Sequence, residues 1–452
     1  MNNIESKIYK FLIPLLLIIY FSLFFSQQIF LIRQDLGRHI INGKIFLQTG
    51  QIISTNFYSY TEPNFPTINH HWLGGVILYL VQNTFGFTGL SIFYLAISGL
   101  TVYIFFLCAK RKSNFVLALL ITFLLLPIMA NRKEIRPEGF SNLFIGIYYY
   151  LITLFLDKKI KFIKLFSIIS LIQLVWVNTH IFFIFGIFIT STFAFIEFVK
   201  VKLNQKDTNL KLLLILAGTT IIVSLANPYG IKGLIEPFNI FKEYGYAVLE
   251  NQSLIFMQKF SPDLKYIFVG ILSLIYVYVI FNSIVEKKLL RYGAITIITG
   301  IFMIMAWKIM RIIPLFGMIL VPFLTQTIYE AYKEKIDNLP KYTLLILLIS
   351  FVPRQYFSAF DGGSGFGLAK NINASAEFFK NNNLKGPIFN NYDIGGYLIY
   401  HLYDREKVFT DKIKMNTGTN KTTLDLAGMA RGVYVLRVNV GEERYYKKIV
   451  KE

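Results

Sequence analysis

The stretch "LIRQDLGRHIINGKIFLQTG", residues 31–50, follows the apolar run "IYKFLIPLLLIIYFSLFFSQQIFLI", residues 8–32, and sets an acid, an arginine and a histidine where that run ends. Such a run can cross a bilayer, which takes ~20 apolar residues. An acid at the edge of hydrocarbon is costly unless it has a partner or a function. Read as a helix, residues 35–49 place Asp35, Arg38, His39 and Asn42 at i, i+3, i+4 and i+7, on one face. The reading is a membrane span followed at once by a surface helix with a polar stripe.

Composition extends this reading to the whole chain. Of its 452 residues 54% are hydrophobic, 17% aromatic and only 16% charged, against ~25% charged in a soluble domain. This is the composition of an integral membrane protein. Apolar windows at 8–32, 88–109, 114–130, 139–156, 162–178, 181–199, 211–226, 265–285, 291–308, 311–329 and 341–353 predict an all-α polytopic protein of about 11 transmembrane helices. The first run exceeds the ~7–15-residue core of a signal peptide and lacks a small-x-small cleavage site, so it reads as a retained span.

The net charge of +20 raises the question of nucleic acid, and its distribution answers it. Segments 1–10, 110–113, 157–164, 200–211, 286–291 and 330–341 hold 19 Lys and Arg in 52 residues, whereas 33–71, 131–138, 179–180, 227–264 and 308–311 hold 11 in 91. The asymmetry is the positive-inside pattern, with the N-terminus cytoplasmic and the long loops outside. Basic charge here encodes topology, and nucleic acid is not an expected partner. The single cysteine, Cys108, excludes an intrachain disulfide framework and a cysteine metal site.

With that topology the chemistry-bearing strings fall on one side. "DLGRHI" (35–40), "NHHWLGG" (69–75), "NRKEIRPEGF" (131–140), "WVNTH" (176–180), "NPYG" (227–230), "FSPD" (260–263) and "WKIMR" (307–311) all sit at outer ends of spans, while the inner loops are plain Lys-rich connectors. The large first external loop, 33–71, is followed by "HHWLGGVILYLVQNTFG", too short to span comfortably and opening on Trp72 as an interfacial helix does. Two surface helices are therefore expected to bracket a polar cleft.

The order of these strings resembles the GT-C superfamily of polyprenyl-phosphate-sugar-dependent glycosyltransferases. The strings that carry the likeness are "DLGRHIINGKIFLQTGQI" (35–52), "NFYSYT" (56–61), "HHWL" (70–73), "RPE" (136–138), "WVNTH", "NPYG" and, far downstream, "NNYDIGGYLIYHL" (390–402) and "VFTD" (408–411). The likeness covers residues 1 to about 411. Where that branch has an acid before the Trp, this chain has His71, which leaves a second catalytic carboxylate there in doubt.

The resemblance implies direct displacement at the outer membrane face: an acceptor hydroxyl attacks the anomeric carbon of a lipid-phosphate sugar, and polyprenyl phosphate leaves. That chemistry needs a base, cations for the phosphate and a lipid groove. Asp35 is the expected catalytic base, with Glu62 and Glu138 next in line. Arg136 and Arg311 are the expected phosphate ligands because Arg binds phosphate in bidentate fashion; Lys308 is a weaker one. The competing reading is that these cations meet lipid head groups. Arg38, His39, His70, His71, Trp72, Glu138, Asn178 and His180 complete the expected substrate-binding set.

Adjacent His70 and His71 point apart on a helix and no HxxxH spacing occurs, so no dedicated metal site is expected. No cofactor is implied with certainty. A divalent cation between Asp35 and a distant acid stays open, since the superfamily contains members with and without one. Tyr58, Tyr60 and Trp72 are the aromatics that could stack on a sugar, although interfacial anchoring is the ordinary role of such rings. The expected partners are a polyprenyl-phosphate sugar donor, membrane lipid, and a glycan, lipid or protein acceptor.

Three domains are expected. Residues 1–353 form the membrane domain. Residues 354–415 form a small external α/β module, in which "GPIFNNYDIGGYLIYHLYDREKVFTD" alternates like strands. Residues 416–452, ending in two alternating strands around "VGEE", resemble the end of the sorting domain of type IX secretion cargo, a signal at odds with a multi-span anchor. Either the strands complete the external module or the sequence joins two genes, and the second reading is preferred. The expected location is the bacterial cytoplasmic (inner) membrane, multi-pass, with the C-terminus external.

Two other classes remain. A lipid-linked oligosaccharide polymerase or ligase would carry its key arginines in a long late loop, and a transporter would place ionisable residues at mid-membrane in repeated halves. Here they sit at span ends, which disfavours transport.

Overall fold

A computed structural model describes residues 20–22, 24–60, 63–205, 208–239, 249–286, 289–338, 365–386, 388, 390, 394–407, 432–440 and 443–451. The helices are α1 (Leu36–Thr49), α2 (Trp72–Arg111), α3 (Phe115–Met129), α4 (Glu138–Leu156), α5 (Phe162–Thr179), α6 (Ile184–Lys202), α7 (Leu210–Ser224), α8 (Ile231–Asn239), α9 (Leu254–Phe260), α10 (Leu264–Val285), α11 (Leu289–Tyr292), α12 (Ala294–Lys308), α13 (Ile313–Asp337), α14 (Ala374–Asn381) and α15 (Gly395–Leu402). Two strands, β1 (Gly432–Val440) and β2 (Glu443–Lys451), pair antiparallel with Val440 opposite Glu443, as the alternation around "VGEE" predicts.

Among the described residues six helices are long and apolar enough to cross a membrane, and α3, α7 and α12 are shorter apolar helices. This is a multi-pass membrane protein. Nine of the expected windows thus coincide with helices, and 341–353 lies outside the described residues. The window 8–32 requires a correction. Its described part is α-helical at residues 20–22 and 24–25; beyond that Ile29 bridges to Leu368, its N–H donating to Gly367 O at 2.7 Å, and Leu31–Arg33 form a single 3-10 turn. Gln27 and Gln28 break the apolar run there, and the backbone finds partners outside a helix.

The bundle closes around α13, whose residues Ile313 to Thr327 are all buried against α2, α3 and α12. Phe302, Phe316 and Phe323 fill its centre, while Ile222, Leu274 and Tyr278 face outward, as lipid contact allows. One end of the bundle gathers the Lys-rich connectors. Arg111 and Lys112 both pair with Asp157, and Asn114 Nδ2 donates to Asp337 Oδ1 at 3.0 Å, so segments 110–113, 157–164 and 330–341 meet as the charge asymmetry requires.

The other end carries the first-loop layer. Gly86 breaks α2 with φ 66°, which separates a surface segment, 72–85, from a span, 87–111. The surface segment crosses α1 at glycines: a Cβ built on Gly43 would lie 2.2 Å from Gly75 O, and one on Gly75 would lie 2.6 Å from His39 O. Only hydrogen allows the two backbones to approach so closely. Gly43→Ala is therefore expected to cost upward of ~1–3 kcal/mol, the range for overpacking, and to lower the thermal midpoint in detergent. Gly218→Ala, with open space around its Cβ, is the control; equal midpoints for the two variants would refute the crossing.

Residues 395–402 differ from expectation. They form a helix rather than a strand, and Tyr397, Leu398, Ile399 and Leu402 are buried in one cluster with Leu36, Ile40, Ile41 and Ile45 of α1. Alternation in "GGYLIYHL" fits either period; the face that α1 offers selects the helix. The contact is close, since a Cβ on Gly37 would lie 2.3 Å from Gly396 O.

Candidate active site

Asp35 starts α1 without using its side chain as a cap, so the carboxylate is available for other contacts. Arg38, one turn on, places Nη2 3.6 Å from it. The pair stays open to solvent on one side, the Asp35 side chain being 44% accessible. Burial of its inner side pushes the Asp35 pKa up, but Arg38, Arg136, His39 and Arg311 outweigh this and hold it at about 2. Asp35 is thus ionised at any physiological pH. On the same face Asn42 Oδ1 accepts from Tyr58 OH at 2.5 Å, so the expected stripe of Asp35, Arg38, His39 and Asn42 exists.

Behind the carboxylate lie four of the chain's five histidines. The rings of His39 and His71 are 5.2 Å apart, those of His70 and His71 4.2 Å, and those of His71 and His180 5.1 Å. Burial, reinforced by Arg38, lowers His39 to about 3 and His70 to about 4, and burial beside the other imidazoles takes His71 well below its ordinary value. The cluster is therefore a neutral wall. His180 is further fixed by a relay in which Trp176 Nε1 donates to Ser141 Oγ at 2.8 Å and Ser141 Oγ lies 2.9 Å from His180 Nδ1. The Phe182 N–H also donates to Nδ1, at 3.3 Å, so the ring proton belongs on Nε2.

The pKa shifts translate into acid sensitivity. A histidine near 6.5 when unfolded and at 3–4 when folded takes up a proton on unfolding between those values, so its stability contribution is complete above pH 6.5 and is lost as pH falls. Asp35, held below its ordinary 3.8, acts in the same direction at lower pH. The thermal midpoint is expected to fall steadily from pH 7 to pH 4.5. His70→Leu should flatten that slope, because the buried His70 imidazole is held at about 4 and leucine takes up no proton on unfolding; an unchanged slope in the variant would contradict the assignment.

The expected phosphate ligands occupy a drier part of the same end, near enough that Arg136 and Arg311 act electrostatically on Asp35. Glu250, on a short turn at Leu249–Asn251, receives Arg132 Nη1 at 2.8 Å and Arg136 Nη1 at 3.0 Å on one oxygen and Arg311 on the other. Glu138 pairs with Arg132 at 3.3 Å. Side-chain exposures of 8% for Arg132, 19% for Arg136 and 14% for Arg311 place these cations inside protein, not among head groups. Arg132 lies in the string "NRKEIRPEGF" without special spacing, and nothing local marks Glu250.

Other expected ligands are occupied within the protein. Asn178 accepts from Trp72 Nε1 at 2.9 Å and donates to Leu174 O and Ala226 O, while the Trp72 ring packs on Phe46. Together they brace α2 against α5. Tyr58 packs on Phe57 and Tyr403, and Tyr60 OH donates to Ile388 O at 3.3 Å. The "NPYG" string is a turn closed by Asn227, from which Tyr229 OH reaches back to accept from Asn69 N–H at 3.0 Å. Glu62 lies outside the described residues.

Comparison with solved structures gives the fold. The chain matches the archaeal oligosaccharyltransferase AglB from Archaeoglobus fulgidus, solved in complex with an inhibitory peptide and a dolichol-phosphate, with TM-score 0.61 at 11% identity over 89% of this chain. A second Archaeoglobus fulgidus oligosaccharyltransferase, in complex with Zn and sulfate, matches with TM-score 0.55 at 11% identity over 85% of this chain and 59% of its own. This chain spans 65% of the first protein's length. The polytopic helical membrane fold expected from the sequence is thus one that these oligosaccharyltransferases share. Residues 390–452 match the family model "Secretion system C-terminal sorting domain", a match that starts within the segment leading into α15, before the boundary at 416. No curated protein matches the chain.

Proposed function

We propose that the protein is a membrane glycosyltransferase that moves a hexosyl or pentosyl unit from a polyprenyl-phosphate donor to an acceptor hydroxyl at the external face of the bacterial cytoplasmic membrane. The observation that carries this reading is the meeting, at one end of an oligosaccharyltransferase-like bundle, of an ionised Asp35 with a cluster of buried arginines. The likeness to a protein solved with dolichol-phosphate supports the donor class.

In this mechanism the acceptor oxygen attacks the anomeric carbon and its proton passes to the Asp35 carboxylate. The bond from that carbon to the phosphate oxygen breaks, and the polyprenyl phosphate departs with the electron pair. Arg38 keeps the base ionised, and the arginines stabilise charge growing on the leaving oxygen. His39, His70 and His71, all neutral, wall the sugar side without adding charge. A divalent cation fits this donor set poorly: Asp35 faces Arg38, and among the described residues no three His, Cys, Asp or Glu side chains are placed to share an ion.

The test offers right-side-out and inverted membrane vesicles radiolabelled polyprenyl-phosphate sugars one at a time. Transfer to an added acceptor in sealed right-side-out vesicles is expected. Transfer confined to inverted vesicles would overturn the sidedness, and none with any lipid-phosphate sugar would overturn the donor class.

A further inference from the structure

Three arginines converge on Glu250 from different elements: Arg132 follows α3, Arg136 precedes α4 and Arg311 precedes α13. The arrangement leaves donors over. Arg132 Nη2, Arg136 Nε and Arg311 Nε are all buried without a hydrogen-bond partner among the described residues. A carboxylate is planar with two oxygens, and here both are already engaged. The cluster therefore holds more buried N–H groups than its present anion accepts, and buried donors left open in this way call for an explanation.

Charge points the same way. The three arginines face Glu138 and Glu250, a balance of one positive charge in a site largely, though not wholly, withdrawn from bulk water. The donor phosphodiester brings one negative charge and two free oxygens, and the phosphate monoester that leaves brings up to two charges and three free oxygens, enough for the remaining donors. The Glu250 turn is held to the Arg311 segment by the Met310 N–H donating to Gln252 O at 3.0 Å, so its side chain can swing out without release of the loop.

We infer that Arg132, Arg136 and Arg311 form a single phosphate site, with Arg132 as its third arm, and that Glu250 is an internal carboxylate occupying it until a phosphate displaces it. The inference takes from the proposed function only that the donor carries a phosphate. Glu250 then sets the affinity: it lowers the binding of bare phosphate and lets a ligand in only when other contacts help to displace it.

The experiment measures binding of inorganic phosphate to the full-length protein in a phosphate-free maltoside detergent. Glu250→Ala is expected to bind phosphate about tenfold more tightly than wild type or better, and Glu250→Asp, whose carboxylate is drawn back, to fall between. Adding Arg132→Gln to Glu250→Ala should lose that gain. Unchanged phosphate affinity in both Glu250 variants, or an undiminished gain without Arg132, would overturn the proposal. The Asp variant keeps the charge, so a fold lost in Glu250→Ala still leaves a decisive comparison.

Two further arms identify the source. Polyprenyl phosphate should compete with inorganic phosphate in Glu250→Ala, and phosphatidylglycerol should not; equal competition by phosphatidylglycerol would overturn the assignment to the donor. A tightened phosphate site in a protein that transfers no sugar would remove the functional reading and support this one. Sugar transfer with no tightening would do the reverse.

Discussion

Asp35→Asn is expected to lower sugar transfer by ~10²–10⁴, the usual loss when a general base is removed, with donor binding and thermal midpoint close to wild type. The fold should tolerate the change because the Asp35 side chain caps nothing and lies 44% accessible beside its ion-pair partner Arg38. Asparagine keeps the shape and removes the acceptor for the proton. Turnover and donor affinity in the same membranes separate the two effects. Near wild-type turnover would require another base, and Glu138 would serve poorly, since it is buried and paired with Arg132.

Arg136→Lys is expected to weaken donor use by about 30-fold or more, nearly as much as Arg136→Gln. Truncating one member of a buried, hydrogen-bonded charge pair costs about 2–5 kcal/mol, and each 1.4 kcal/mol is about tenfold. Lysine keeps the charge but gathers its N–H groups on one nitrogen and lacks the planar fork, whereas Arg136 holds Nη1 on Glu250 while Nε remains for a ligand. A residue that merely anchored a helix end in anionic lipid would accept lysine freely. Apparent donor affinity for wild type, Lys and Gln decides the matter, with the thermal midpoint as control because Arg136 precedes Pro137 at the start of α4. Lysine behaving like wild type would rule out the clamp.

The parts of this molecule that are legible in the sequence are those written in local periodicity. Spans declare themselves as apolar runs, the polar face of α1 as i, i+3, i+4, i+7 spacing, and the terminal hairpin as strict alternation. The gathering of the motif-bearing span ends is also readable, because charge asymmetry indicates which ends share a side. What escapes depends on contacts between distant residues. Glu250 meets Arg132 and Arg136 across more than a hundred residues, and neither its neighbours nor its spacing announce the pairing. Residues 395–402 take the helical state because the face of α1 offers a place for Tyr397, Leu398, Ile399 and Leu402 together. Asn178 has a side chain suited to sugar hydroxyls, yet its hydrogen bonds go to Trp72, Leu174 and Ala226, a commitment that only the packing of α2 against α5 reveals.

The elbow at Gly86 fixes an altitude. Below it, residues 87–111 of α2 rise about 37 Å at 1.5 Å each, a little more than the ~30 Å of hydrocarbon, so a span of this length brings the elbow to a membrane interface and starts the segment 72–85 at head-group height. The layer that carries Asp35 and the histidines is clamped to that segment through the Gly43–Gly75 crossing and inherits its level. For the lipid-linked donor proposed above, this means that it is met at the depth where its own head group floats, and that its search for the cleft runs in the plane of the membrane. Only the acceptor has to arrive from the third dimension.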